Sequence, residues 1–331
     1  MGAPAVIFEQ LVAWEPSEAA RVMLAYLKKT SPKDIEINEQ IVETEDFRGI
    51  PTFVGELPDP EKEDLSDFAL FCAEIGGCNS LEPLSAAAKL GLVVIDADGM
   101  GRAFPELQMF LPFVHGLEPF TATLASVDHR RSLILTAATA KKLEDTCRNI
   151  IMEMGCAGGL CLTPITGEII KKHCCQKSYT KARRLGHQIL TARKNLTDIV
   201  EAILSVEKGF VICKGKIIDV LRKTEGAFNR GEVIIQDFNS SDTLLIEFQN
   251  ENIIATTNKE DGTKHVTATV PNMICIIDSV NGDPVLTENL RYGLRVTVIV
   301  LDIDSLWKTE KGLAVTGPKA FGYDVEFQPI S

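Results

Sequence analysis

The hydrophobic pattern changes at Gly209, and this change constrains the fold more than any other feature. Beyond it, short segments with apolar residues at every second position follow one another: 210–213, 216–221, 232–237, 244–248, 253–257, 265–270, 273–277 and 295–301. Turn signals separate them, among them Asp261-Gly262 and Asn281-Gly282. Period-two alternation with tight turns is expected of antiparallel strands that bury one face. Residues 209–331 therefore predict an all-β barrel or sandwich.

Before Gly209, strands and helices alternate. Ser17 is placed to cap a helix reaching about Lys29, and Glu56 to Asp67 reads as an acidic surface loop. A compact unit follows: an apolar strand over 69–75, an alanine-rich helix over 80–90 closed by Gly91, and a second apolar strand over 92–95. Strands without alternation are buried on both faces, as in a parallel sheet under helices, so this unit predicts a right-handed βαβ crossover. A strand pair around Asp128 and His129 within 120–138, and helices over 140–154 and 180–205, complete the pattern. The expected division is an α/β N-terminal domain with a parallel sheet over 1–118, and a C-terminal domain over 119–331 with helices in 140–205 and a β-rich part from 209.

At 331 residues the chain is long enough for two cores. Its formal net charge of −12 disfavours nucleic acid and anionic membrane surfaces as partners. No apolar run has the length of a membrane span, and Met1 to Gln10 lacks a secretory pattern. Nine cysteines without a Cys-x-x-Cys pair fit reduced thiols better than a disulfide framework, so the expected compartment is the cytoplasm.

Two polar clusters end the two strands of the βαβ unit: Glu74-Ile75-Gly76-Gly77-Cys78-Asn79-Ser80 and Asp96-Ala97-Asp98-Gly99-Met100-Gly101-Arg102. Parallel strands place their carboxyl ends at one sheet edge, where open α/β sheets bind ligands. Gly76 and Gly77 would let the backbone approach a ligand, and Asn79 or Ser80 would cap the helix. Glu74, Asn79, Asp96, Asp98 and Arg102 are thus expected to line one pocket, with Arg102 offsetting the carboxylates. Phe104-Pro105-Glu106 predicts another helix start, with Glu106 in its first turn as a dipole partner or facing the crevice. Gly-Gly and Asp-Gly also serve as ordinary turns; the coincidence of two clusters at one edge favours a site.

Other features have plainer readings. Cys78 lies near a helix start, but no histidine is placed beside it to act as a base. His173-Cys174-Cys175 lacks a second spaced ligand pair. The basic residues from Lys171 to Arg184 read as a solvated helix face, and Gln249-Asn250-Glu251-Asn252 reads as a turn. The run Gly317 to Asp324 is either a turn with a packed aromatic or a lid.

Five motifs together carry a resemblance: Glu74-Ile-Gly-Gly-x-Asn79-Ser80, Asp96-Ala-Asp-Gly-Met-Gly-Arg-Ala-Phe-Pro-Glu106, Asn250-Glu-Asn252, Arg291-Tyr-Gly293 and Gly317-Pro-x-Ala-Phe-Gly-Tyr-Asp324. In this order they resemble the S-methyl thiohydantoin desulfurase-like family. The resemblance implies an α/β domain followed by a β-rich one, and hydrolysis of an S-methyl thiohydantoin to a hydantoin with loss of methanethiol. Some relatives are fused to, or encoded beside, hydantoinase and oxoprolinase-like proteins. A hydantoinase-like subunit is therefore an expected partner, and a noncatalytic accessory module is the alternative function. Relatives carry a glycine-rich region ahead of the part matching Gly2-Ala3-Pro4, so this chain is expected to be a truncated or once-fused piece. They also carry Pro-Asp-Leu-Ile where Pro271-Asn272-Met273-Ile274 stands.

For hydrolysis, Asp96 or Asp98 is the expected base, Glu74 an orienting or relay group, and Arg102 with the amides near Gly77 the charge stabilisers. Gly76, Gly77, Asn79, Ser80 and Glu106 are the expected substrate contacts. No metal is assigned and no cofactor is specified, although Glu74, Asp96, Asp98 and Glu106 are hard-oxygen ligands of the type that binds a divalent cation. Assembly into an oligomer is compatible with the sequence.

Overall fold

The computed structural model describes residues 68–330 apart from 120, 136, 163, 226 and 227, together with 19–21, 23, 36–37 and 53–54. Of the expected helix from Ser17 to Lys29, residues 19–21 and 23 are described and helical. The rest of it, and the loop from Glu56 to Asp67, lie outside the described residues. No helix among the described residues is long and apolar enough to cross a membrane.

The chain separates into two compact units, residues 1–100 with 106–176, and residues 101–105 with 177–331. In the first, short strands β1 (Glu36–Ile37) and β2 (Phe53–Val54) pair antiparallel. Next come β3 (Ala69–Cys72), helix α1 (Glu82–Leu90) and β4 (Val93–Asp98). Pro83 sits in the first turn of α1, and Gly91 stops it in a left-handed conformation at φ 66°. Strands β3 and β4 are parallel direct neighbours, with Cys72 opposite Asp98, which is the parallel pairing expected of this unit. The sheet is mixed rather than parallel throughout, because β8 (Cys175–Gln176) adds to β4 antiparallel. Extra residues in β4 break the register between Leu70 and Cys72, so β4 runs on through Asp96 and Asp98 instead of ending at Ile95.

A second sheet places β5 (Ala122–Ala125) between β6 (Arg131–Ile134) and β7 (Gly159–Leu162), all antiparallel. Helix α3 (Ala140–Glu153) is capped by Thr139, whose side chain accepts from Lys142 N. It buries Leu143, Cys147, Ile150 and Ile151 against Ala122 and Leu124. That i, i+4, i+7, i+8 stripe places α3 in the first unit, which extends to Gln176. Short helices α2 (Leu111–Val114) and α4 (Gly167–His173) complete this unit.

The second unit holds helices α5 (Ser178–Asn195) and α6 (Ile199–Leu204), then β9 (Gly209–Glu225), β10 (Phe228–Asp237), β11 (Thr243–Gln249), β12 (Glu251–Asn258), β13 (Lys264–Thr269), β14 (Met273–Asp278), β15 (Arg295–Leu301) and helix α7 (Glu310–Thr316). The strands form one antiparallel sheet in the order β13-β12-β11-β10-β9-β15-β14. It is neither a sandwich nor a closed barrel. The sheet curls into a half-barrel, so that Asn252 Nδ2 on β12 donates to Ile274 O on β14 at 2.8 Å. Ile217, Val233, Ile235, Ile246, Val296 and Val298 fill the concave core. Ile203 of α6, with Leu185 and Ile189 of α5, packs on Ile277, Ile299 and Leu301.

Candidate functional site

The parallel pairing of β3 and β4 brings the two expected clusters to one sheet edge. Asp98, fully buried, holds them together: its Oδ2 accepts from Ile75 N at 3.0 Å, beyond the end of β3, and from Met100 N at 3.2 Å. Glu74 is 4% exposed, and its Oε1 accepts a short hydrogen bond from Asn79 Nδ2. Asp96, two residues before Asp98 on the irregular stretch of β4, is exposed. The first unit therefore places two buried carboxylates and one exposed one around the carboxyl ends of two adjacent strands.

The glycines make this approach sterically feasible. Gly77 has φ +56°, in the region that favours glycine, and opens a four-residue 3-10 turn, Gly77–Ser80. Gly99 N donates to Ala73 O at 3.0 Å, and a Cβ at Gly99 would lie 1.9 Å from the Phe110 ring. The expected helix cap is corrected. Leu81 occupies the cap position of α1 without a side-chain bond, Asn79 is engaged by Glu74, and Ser80 Oγ donates to Gly77 O at 2.8 Å. The intervening 3-10 turn displaces both residues from the cap.

Arg102 lies in the other unit. Residues 101–105 pack with the C-terminal part of the chain, where the guanidinium, 5% exposed, donates to Pro271 O at 3.0 Å and to Asn272 O at 2.6 Å. It also lies over the Phe104 ring, 5.0 Å from its centroid, and Phe104 packs edge-on against Trp307. Glu106 does not open a regular helix. It precedes a 3-10 turn over Leu107–Met109, with Lys141 Nζ 3.7 Å from its Oε2 and Gln108 donating to it. Leu107 N is held at 2.9 Å by Glu144 of α3.

Among the described residues, no three His, Cys, Asp or Glu side chains are grouped to hold a metal ion, so the four-carboxylate arrangement does not form. Cys174 and Cys175 are buried, and Cys175 lies opposite Asp98 in the β4–β8 pair. Burial first, and the Asp98 charge second, push the Cys174 thiol up to about 12. The side chain of Cys78 lies outside the described residues.

The comparisons with known proteins bear on the same segments. The S-Me-THD-like N-terminal domain matches residues 61–136 and the S-Me-THD-like C-terminal domain residues 138–330. The chain belongs to the S-Me-THD-like family. The sequence motifs had pointed to this family, and the matched span includes every expected site residue from Glu74 to Glu106. A crystal structure of a protein from Chromobacterium violaceum is similar, with a TM-score of 0.64 and 22% identity over 79% of this chain and 72% of that one; it establishes the fold alone. No curated protein matches. Within this S-Me-THD-like chain, sequence reasoning missed the bond of Asn79 to Glu74 and those of Arg102 to the Pro271 and Asn272 carbonyls. The Glu74-x-x-x-x-Asn79 spacing across two glycines was the available signal for the first.

Proposed function

We propose that the chain hydrolyses a small cyclic ureide of the S-methyl thiohydantoin class, releasing methanethiol and leaving a hydantoin. The observation that carries this reading is the joining of the β3 and β4 ends around Glu74, Asp96 and Asp98 in an S-Me-THD-like chain. Water adds to the ring carbon that bears the S-methyl group. Asp96, exposed near the end of β4, takes the proton as the carbon–oxygen bond forms. Backbone N–H groups of the Gly76-Gly77 turn offset charge developing on the ring nitrogen. The ring nitrogen takes up one of the water's two protons, the carbon–sulfur bond breaks, the other proton passes to the departing methanethiolate, and the ring carbon becomes a carbonyl.

Glu74 and Asn79 orient the substrate as a hydrogen-bonded pair, with Gly76 and Ser80 as neighbouring contacts. Asp98 positions the two loops and does not touch the reacting atoms. Arg102 secures the 101–105 segment within its own unit, and Glu106 belongs to the α3 side of the first unit with Lys141. Purified protein should release methanethiol from S-methyl thiohydantoin, and Asp96→Asn should lower the rate about a hundredfold or more. Full activity in Asp96→Asn removes the base assignment. An inactive isolated chain that forms a stable complex with a hydantoinase-like subunit on gel filtration would favour the accessory-module reading instead.

A further inference from the structure

The second unit carries a cavity of about 260 Å³ on its sheet, remote in sequence from the strand-end cluster. Its polar lining comes from strand rows whose order follows from the register. Lys223 of β9, Arg230 of β10 and Gln249 of β11 stand directly opposite one another in one row. Leu221, Glu232 and Glu247 form the adjacent row, two residues along each strand. Residues opposite one another project from the same face, so one face presents a cationic row beside an anionic one, about 7 Å apart. Phe321 and Tyr323, from the 3-10 segment at Pro318–Phe321 and the turn after it, supply aromatic wall, and Tyr323 OH donates to Glu247 Oε1 at 3.3 Å.

Each row sets like charges side by side: Lys223 stands opposite Arg230, and Glu232 opposite Glu247. Gly231, between the two charged positions of β10, permits close packing: a Cβ there would lie 2.0 Å from Leu221 O. Burial raises the affinity of Glu247 for its proton, and the Glu232 charge adds to that effect.

We propose that this cavity binds a small zwitterion of the α-amino-acid class, with its carboxylate on Arg230 and Lys223, its ammonium on Glu232, and an apolar side chain against Phe321 and Tyr323. A simple anion meets the carboxylate row and a simple cation meets the basic row, so only a ligand with both charges is favoured by both. The volume lies just below the range of about 300–1,000 Å³ typical of drug-sized ligands, which suits an amino acid. The run Gly317 to Asp324, a turn or a lid on sequence grounds, is then a wall of this pocket.

Isothermal titration of the full chain with leucine, methionine and phenylalanine tests the proposal, with the N-acetyl and carboxamide derivatives of each as controls. At least one free amino acid should bind saturably. Blocking either charge, or substituting Arg230→Met or Glu232→Gln, should weaken binding about ten- to a hundredfold, as loss of a charged hydrogen bond does. Lys223→Gln, at an exposed position, provides a variant whose folding is not at risk and should weaken binding in the same sense. No saturable binding of any of the three, equal binding of the blocked derivatives, or binding that survives all three substitutions in folded protein would overturn the proposal.

Discussion

Replacing Asp98 by alanine should destabilise the first unit far more than replacing it by asparagine. The carboxylate is fully buried, and one of its oxygens accepts from both Ile75 N and Met100 N. Alanine leaves one buried and one part-buried backbone donor without that acceptor, at about 1–3 kcal/mol each, or about 2–6 kcal/mol together. A domain is stable by only about 5–15 kcal/mol, so this is a large share. In a unit of this size about 1 kcal/mol moves the melting temperature by about 2–4 °C, which predicts a fall of roughly 4–24 °C. Asparagine keeps a carbonyl oxygen in the same place and should retain most of the stability. Asp96→Asn, at an exposed position, should change stability by less than about 0.5 kcal/mol while lowering turnover. Differential scanning calorimetry of the three variants, with hydrogen exchange at Ile75 and Met100, reads each effect. An Asp98→Ala protein that melts with the wild type would refute the idea that this carboxylate fastens the two loops.

Other outcomes follow from single contacts. Arg102→Met removes a buried guanidinium from the carbonyls of Pro271 and Asn272 and should cost about 2–4 kcal/mol in urea unfolding of the second unit; a loss below about 1 kcal/mol would contradict its structural task. Burial raises the Glu247 carboxyl above its ordinary value, so its contribution to stability is fully present below the unfolded value and is lost as pH rises through the folded one. Glu247→Gln should therefore leave acid stability unchanged and raise neutral-pH stability, as measured by melting temperature across that window. Burial pushes the Cys213 thiol up to about 12, so peptide mapping after brief alkylation should find exposed Cys156 labelled well before Cys213 or buried Cys147.

The parallel pairing was legible because β3 and the 93–95 part of β4 are apolar without alternation and one short helix lies between them. The extent of β4 was not, since a break in register carries Asp96 and Asp98 into the strand, and no residue type marks it. Residues 210–221 read as two strands because Lys214-Gly215 resembles a turn. In the fold Gly215 lies within one bulged strand, where a Cβ would fall 2.2 Å from Gln236 O. The expected helix over 180–205 breaks at Leu196, which takes φ 56° without a glycine to announce it, although Asp198 capping through Glu201 N was a readable restart signal. The bonds of Arg102 to the Pro271 and Asn272 carbonyls were not legible, because those partners lie about 170 residues further along the chain and no residue type marks the passage of 101–105 into the second unit. The paired charges of β9, β10 and β11 were invisible for a different reason: polar alternation on a strand looks the same whether the outer face meets water or lines a cavity.

The proposed reaction turns on addition of water at the carbon bearing the S-methyl group. Incubating the protein with S-methyl thiohydantoin in water enriched in heavy oxygen, and weighing the products by mass spectrometry, tests this directly. The predicted result is one heavy oxygen in the hydantoin for each methanethiol released, with both products reduced together in Asp96→Asn. Methanethiol without heavy oxygen in the hydantoin, or no methanethiol from protein shown to be folded, would contradict it.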